Sequence, residues 1–401
     1  MPGVLFVAVF ALLLAVSGCT MHGEPRRVGP MPERNAPEPE VDPGDVVAAA
    51  DQEVLVPGEA LDRIARADVV YVGESHTSVR DHHVQAEVLR GLLDRGRSVT
   101  MAMEMFPRGA QPVLNRWSDG LMDVRSFQDE VQWSRVWGYP FALYRELFET
   151  ARDNGVPVVG ANAPRDVVAA IAEGGYESLT PAQRAAVADT FFRDDAAHRA
   201  HLREMYEAHP HGRADDFERF YDAQLAWEET MAETVAQLVQ EGGSNSTVLM
   251  IAGAGHVAQR FGIPERVLRR VDHDYALVLP VGEQFYEQHG PFEPKWADYL
   301  WITDEPLENR RLRVGVGLSP VDSGIEVRFV APDSPADKAG LRKGDVLTAI
   351  NGAPVEDMGA MHGALEPGGG EHVFTVLRDG STTDVVVDLP PSPHGKRGEG
   401  D

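Results

Sequence analysis

The sequence predicts an α/β domain with a mainly parallel sheet and a helical insertion, followed by a small β-rich domain. Three observations carry this. Short apolar runs alternate with helical patterns from Asp68 to Val281. Strand signals vanish between Pro181 and Gln240, and beyond residue 310 strand-like runs surround one short helical segment. Alternation of the first kind argues for βαβ units and a parallel sheet. With 401 residues the chain exceeds one ordinary core and suits two domains plus tails.

In chain order, the expected strands of the large domain are Val69–Val72, Val99–Met103, Val156–Gly160, Thr247–Ala252 and Tyr275–Pro280. Helices are expected over Asp81–Leu93, Phe141–Arg152 and Arg165–Ala172. The insertion carries Ala-rich and Glu-rich periodic segments broken near Pro210-His211-Gly212. A Pro, Gly and aromatic stretch from Gly290 to Trp301 leads to a charged junction at Asp304–Glu308, where the boundary is placed. The β-rich domain follows over residues 311–389, and residues 390–401 read as a disordered tail.

Composition excludes several classes. Hydrophobic residues make up 43% and charged residues 25%, enough to bury a core, yet no internal run is long enough to span a bilayer. A formal charge of -26 disfavours nucleic acid, whose phosphates need a basic footprint. The one cysteine, Cys19, rules out a disulfide framework or a catalytic thiol in the body of the chain. Any metal site must therefore use His, Asp, Glu or Tyr.

Cys19 follows an apolar stretch, Val4–Val16, and the small residues Ser17 and Gly18, the layout of a secretory signal too short for a spanning helix. Val16-Ser17-Gly18-Cys19 resembles the lipobox of bacterial lipoproteins. That resemblance implies a signal peptide over 1–18, lipidation of Cys19 and a membrane partner through the lipid. The n-region, Met1-Pro2-Gly3, departs from the pattern in having no Lys or Arg, and the competing reading is a secreted protein with a chance cysteine. Thr20 in place of an Asp leans toward the outer membrane of the cell envelope. Residues 19–55, rich in Pro, Glu and Gly, read as a solvated tether, with the large domain over 56–303.

In open parallel sheets ligands bind beyond the carboxyl ends of the strands. The expected strand ends there are Gly73-Glu74-Ser75-His76, Met103-Glu104-Met105-Phe106, Gly160-Ala161-Asn162 and Gly253-Ala254-Gly255-His256. Glu74, His76, Glu104 and His256 thus form a candidate pocket or catalytic group. Glu74, His76 and His256 match the ligand types of Zn²⁺ or Mn²⁺, which could activate water. A His held by a Glu could instead act as a metal-free base, or the cluster could simply stabilise the strand ends.

The same residues, in this order and spacing, resemble the ChaN-like haem-binding lipoproteins, in a superfamily with the Tiki metalloproteases and erythromycin esterases. Supporting matches are Trp137-Gly138-Tyr139-Pro140, Asn162-Ala163-Pro164-Arg165, Gln224 with Glu228, and Asp298-Tyr299-Leu300-Trp301. The resemblance spans roughly residues 60–303 and implies haem binding, with a homodimer as a possible setting. A tyrosinate or a His can hold haem iron, and the insertion offers His198, His201, Tyr206 and His209 as a candidate haem site, with His211 nearby. The hydrolase branches imply the alternative, a metal-dependent hydrolase or peptidase using Glu74, His76, Glu104 and His256. A third reading is an envelope scaffold with a vestigial pocket.

In the small domain, Ser334-Pro335-Ala336, Ala339-Gly340-Leu341, Lys343–Leu347 and Ile350-Asn351-Gly352 resemble the PDZ domains of exported bacterial proteases. Gly340 can end a helix turn, Gly344-Asp345 makes a tight turn into a strand, and Asn351-Gly352 suits a type I′ hairpin. The resemblance implies that a peptide or protein C-terminus adds as a strand, its carboxylate meeting the loop Val314-Gly315-Val316. A PDZ domain used only for packing or dimerisation is the competing reading.

Overall fold

The computed structural model describes residues 40–207, 217–290, 292–304, 314–321, 323–330, 334–355, 358–365 and 370–389. Cys19, His209 and His211, and the expected break at Pro210–Gly212, lie outside the described residues.

The large domain begins with β1 (Val46–Ala48), β2 (Glu53–Leu55), α1 (Pro57–Ile64), β3 (Val69–Glu74), α2 (Val79–Asp94) and β4 (Ser98–Pro107). It continues through α3 (Gln111–Ser118), α4 (Val124–Val131), α5 (Trp133–Val136), α6 (Phe141–Asp153), β5 (Val158–Asn162) and α7 (Arg165–Gly174). The insertion supplies α8 (Pro181–Arg184), α9 (Ala196–Glu207) and α10 (Phe217–Glu241). The domain closes with β6 (Ser246–Gly253), α11 (Ile263–Leu268), β7 (Tyr275–Gly282), α12 (Glu283–His289) and β8 (Tyr299–Thr303).

Its eight strands run in the order β2-β1-β8-β7-β3-β6-β4-β5. Every pairing from β8 to β5 is parallel, and only the short β1 and β2 at one edge are antiparallel. The fully buried β3, Val-Val-Tyr-Val-Gly-Glu, is a near-continuous apolar run because helices cover both faces of the sheet. One core layer gathers Val70, Val72, Met101 and Phe148; the other gathers Val69, Tyr71, Val235 and Leu277.

Two expectations are corrected. Residues 46–55, read as tether, form β1 and β2: Val46 pairs with Trp301 and Leu55, and Val46 and Val47 are fully buried. Three-residue strands fall below the length at which alternation is visible among Pro and Gly. The third parallel strand runs over Val158–Asn162 rather than Val156–Gly160, carrying Asn162 to the sheet edge.

The small domain comprises β9 (Val316–Val321), β10 (Gly324–Val330), α13 (Pro335–Ala339), β11 (Val346–Ile350), β12 (Ala353–Pro354), α14 (Met358–Leu365), β13 (Gly370–Arg378) and β14 (Ser381–Leu389). Its strands pair antiparallel in the order β14-β13-β11-β10-β9 around Ile325, Leu347, Ile350 and Phe374. Gly340 caps α13 with φ 82°, and Asn351 and Gly352 have φ 52° and 77°, the two positive values a type I′ turn needs. Asp345 receives both Arg378 Nε and Nη2 at 2.6 Å and the Arg342 N–H at 2.8 Å, which fixes the turn before β11.

Candidate functional site

β6 inserts between β3 and β4, so the loops after these three strands and β5 open on one crevice. β3 ends in Glu74. His76, two residues on, turns back so that its Nδ1 lies 2.7 Å from Glu74 Oε1. Tyr144 on α6 donates to the same oxygen at 2.7 Å, and Gln85 on α2 donates to Oε2 at 2.6 Å. His82 Nδ1 lies 3.3 Å from Oε2. Burial alone would raise the pKa of Glu74, but the His82 charge and the hydrogen bonds from His76 and His82 outweigh it and hold the carboxyl well below its usual range. Burial pulls the His82 pKa down, and the Glu74 carboxylate more than reverses this.

An ionised carboxylate only accepts, so His76 donates to Glu74 through Nδ1, and Nε2 is the ring nitrogen left for the crevice that His76 lines. Trp137 and Tyr139 pack against the His76 ring at centroid distances of 4.7 and 5.1 Å. They come from Trp137-Gly138-Tyr139-Pro140, and Trp137 Nε1 also donates to Tyr144 at 2.9 Å.

Glu104 reaches the crevice through an irregularity in β4. Met103 pairs with Gly160 but Pro107 with Asn162, so β4 carries extra residues over 104–106 and swings away from its neighbour. Glu104 Oε2 then accepts the Gly253 N–H at 2.6 Å, while Asn162 Nδ2 donates to the Glu104 carbonyl at 2.9 Å. Gly253 is a close approach: a Cβ there would lie 2.9 Å from His76 Cε1 and 3.5 Å from Glu104 Oε2.

His256 stands between two carboxylates, its Nε2 3.6 Å from Glu104 Oε1 and its Nδ1 3.4 Å from Glu228 Oε1. Burial lowers its pKa, but Glu104 and Glu228 together raise it above the ordinary value. Behind Glu228, on α10, His198 Nε2 lies 3.2 Å from Oε2, and Arg266 Nη2 lies 3.1 Å from His198 Nδ1. The site therefore sets His76, held by Glu74, beside an imidazolium-favouring His256.

These groups line a cavity of about 430 Å³, within the usual range for small-molecule and cofactor sites. His76, Glu104, Glu228 and His256 are among the residues toward its floor and lining, while its apolar lining includes Trp137, Leu202, Met205, Phe220 and Trp227. Arg135, Arg165 and Asp166 also line it and are exposed. Desolvation by the surrounding protein keeps the Arg165 pKa below its ordinary value despite that exposure.

The structure thus brings Glu104, His76 and His256 together in the cavity, with Glu74 directly behind His76. It does not bring His198, His201 or Tyr206 there. His198 is buried behind Glu228, His201 packs against Phe261 at 5.5 Å, and Tyr206 packs against Phe217 and Phe220 at 5.7 and 5.2 Å. Their helix-mates Leu202 and Met205 line the cavity instead. Among the described residues, no group of three or more His, Cys, Asp and Glu side chains is arranged to hold a metal ion.

Sequence reasoning missed His82, Gln85 and Tyr144, and noted Glu228 only as part of a pattern. The signal was present in α2, where Asp81, His82 and Gln85 interrupt a face otherwise carrying Val84, Val88 and Leu89.

Residues 60–267 match the family described as haem-binding uptake, Tiki superfamily, ChaN. The chain belongs to this ChaN family. Residues 326–378 match the PDZ domain, so a PDZ domain follows the ChaN-like one. The structure of ChaN of Campylobacter jejuni, described with cofacial haem binding, superposes with a TM-score of 0.52 at 17% identity, covering 64% of this chain and 95% of that one. It shares the fold. Protein RETICULATA-RELATED 5, chloroplastic, of Arabidopsis thaliana is 26% identical over 264 residues, 60% of this chain and 35% of that protein. The periplasmic serine endoprotease DegP of Escherichia coli is 37% identical over 71 residues, 17% of this chain and 15% of that one. The chain therefore spans well under two thirds of the curated relatives it matches.

In the PDZ domain, Val314 and Val316 are buried and Gly315 lies between them with φ 81°. Ser334 Oγ donates to the Gly315 carbonyl at 3.4 Å and the Ala336 N–H to the Val314 carbonyl at 2.9 Å, tying the loop to the start of α13.

Proposed function

We propose that this chain is an envelope lipoprotein that binds haem in the cavity at the strand ends and serves iron uptake or handling. The single observation that carries the reading is the cavity itself. It has an aromatic and apolar lining that includes the His76 imidazole, whose Nδ1 is engaged by Glu74 so that Nε2 is the ring nitrogen left to meet a ligand. A ligating His whose other nitrogen donates to a carboxylate is the usual supporting arrangement for a metal ligand. His76 would hold iron, with Glu74, Gln85 and Tyr144 fixing its ring. His256, drawn toward its protonated form, would offer a donor rather than a lone pair. Haem when bound supplies an iron centre for transport or handling.

In this reading Cys19 carries the lipid and places the protein on the outer membrane, two copies associate, and the loop Val314-Gly315-Val316 receives the C-terminus of a partner protein. The metal-dependent hydrolase alternative gains no support, because its expected ligands Glu74, His76 and His256 make no shared ligand group: Glu74 is spent on four donors.

Titration of the purified chain with haem, followed by absorbance, tests the proposal. Saturable binding with a shifted Soret band is expected, and its absence removes the haem reading. Radiolabelled palmitate incorporated by the parent and not by Cys19→Ala tests the anchor.

A further inference from the structure

Two exposed arginines line the cavity without an ion pair among the described residues, although Arg165 feels the charge of Glu104 through space. Arg165 is the first residue of α7, and Pro164, before it, gives that helix no side-chain cap. A cation in the first turn of a helix is opposed by the helix dipole, which favours an anion there. Among the described residues neither Arg135 nor Arg165 holds a carboxylate in an ion pair, although the chain carries a formal charge of -26 and ion pairs engage many of its other arginines. Arg135 Nη1 has the neutral Gln132 Oε1 at 3.3 Å. Asp166 shares the rim, but residues adjacent in a helix do not face each other.

Among the described residues, the interior of the cavity offers an anion no free cation. Glu104 and Glu228 stand there, already facing His256, His198 and Arg266, so an anionic group inserted against them would be desolvated without a partner of its own. The middle is apolar, with Trp137, Phe220 and Trp227. A ligand suited to this gradient is flat and apolar over most of its surface and anionic at one edge, and that edge must stay at the rim.

We propose that Arg165, assisted by Arg135, seats a carboxylate of the bound tetrapyrrole, so that the ligand enters apolar edge first and leaves its propionates at the mouth. The inference rests on the haem reading and adds to it an orientation and a preference for the free acid over neutral derivatives. An arginine fork binds a carboxylate through paired N–H donors, which a lysine cannot reproduce.

The test is a titration of the full chain, of Arg165→Gln, of Arg165→Lys and of Arg135→Gln, each with haem and with haem dimethyl ester, whose propionates are esterified. For the parent, haem is expected to bind roughly three- to tenfold tighter than the ester, the size of a partly exposed charged pair. Arg165→Gln should lose that factor for haem and leave the ester unchanged; Arg165→Lys should lose part of it, and Arg135→Gln a smaller part. Equal loss for both ligands, or no loss for haem, overturns the inference and leaves the haem reading standing. Failure of the parent to bind either ligand removes both. Matching thermal transitions across the variants keep a folding defect out of the comparison.

Discussion

His76 Nδ1 and Glu74 Oε1 lie 2.7 Å apart at the end of β3, two residues from each other in the chain and both almost fully buried. That contact defines the floor of the site. It sets the imidazole tautomer, and Glu74 in turn is fixed by donors from α2 and α6, so three elements converge on one carboxylate. Glu74→Ala leaves the buried donors of His76, His82, Gln85 and Tyr144 without their shared acceptor and should cost about 3–5 kcal/mol. Tyr144→Phe removes one donor and should cost about 1 kcal/mol. Urea unfolding of parent and variants measures both, and similar costs for the two would contradict a shared carboxylate hub.

The pH dependence follows from the directions of the shifts. Glu74 and Glu228 have folded pKa values below the reference 4.5, so fewer protons bind in the folded state; their contribution is full above 4.5 and is lost as pH falls through the folded values. His82 and His256 are raised above 6.5, so theirs is full below 6.5 and lost as pH rises through the folded values. The contribution of these groups should therefore be greatest between the two reference values, 4.5 and 6.5, and decline on the acid and alkaline sides of that window. Denaturation across that range checks the curve, and His82→Gln should flatten its alkaline side.

Gly253 allows His76 and Glu104 to meet over the end of β6. In Gly253→Ala the new Cβ meets the edge of the His76 ring at 2.9 Å, and the ring, held by Glu74 and packed against Trp137, is displaced. Haem affinity should fall by about tenfold or more, about 1.4 kcal/mol, while the far-UV spectrum is kept. Unchanged affinity would show that the His76 position is immaterial.

In the PDZ domain, Gly315 has φ 81°, and a Cβ there would sit 2.1 Å from Ser334 Cβ. Gly315→Ala combines backbone strain with a clash and should abolish binding of C-terminal peptides, read by fluorescence anisotropy, without changing haem absorbance. Ser334→Ala, which keeps the loop conformation and removes the 3.4 Å hydrogen bond to the Gly315 carbonyl, should weaken the same binding only a few-fold.

Much of this architecture was legible because parallel strands buried on both faces are continuous apolar runs, as in Val69–Val72, and because turn residues such as Asn351-Gly352 announce their backbone conformation. Glu74, His76 and His256 were legible because each sits at or just past a strand's carboxyl end, whereas Glu104 lies within β4 at the point where its pairing with β5 breaks. β1 and β2 were hidden by being three residues long and held by pairing with the distant β8. Tyr206 illustrates a different loss: the sequence shows His198, His201 and Tyr206 close together in the insertion, but not that Leu202 and Met205 of the same helix line the cavity in their place. Likewise the β4 irregularity over 104–106, which aims Glu104 at Gly253, has no pattern in the sequence.

The central claim is that haem binds in the strand-end cavity with His76 facing its iron. It is tested most directly by titrating haem into the parent, His76→Ala and Tyr206→Phe and following the Soret band. A shifted, saturable band is expected for the parent and Tyr206→Phe, and its loss in His76→Ala. Loss in Tyr206→Phe with full retention in His76→Ala would contradict it and place the iron on α9.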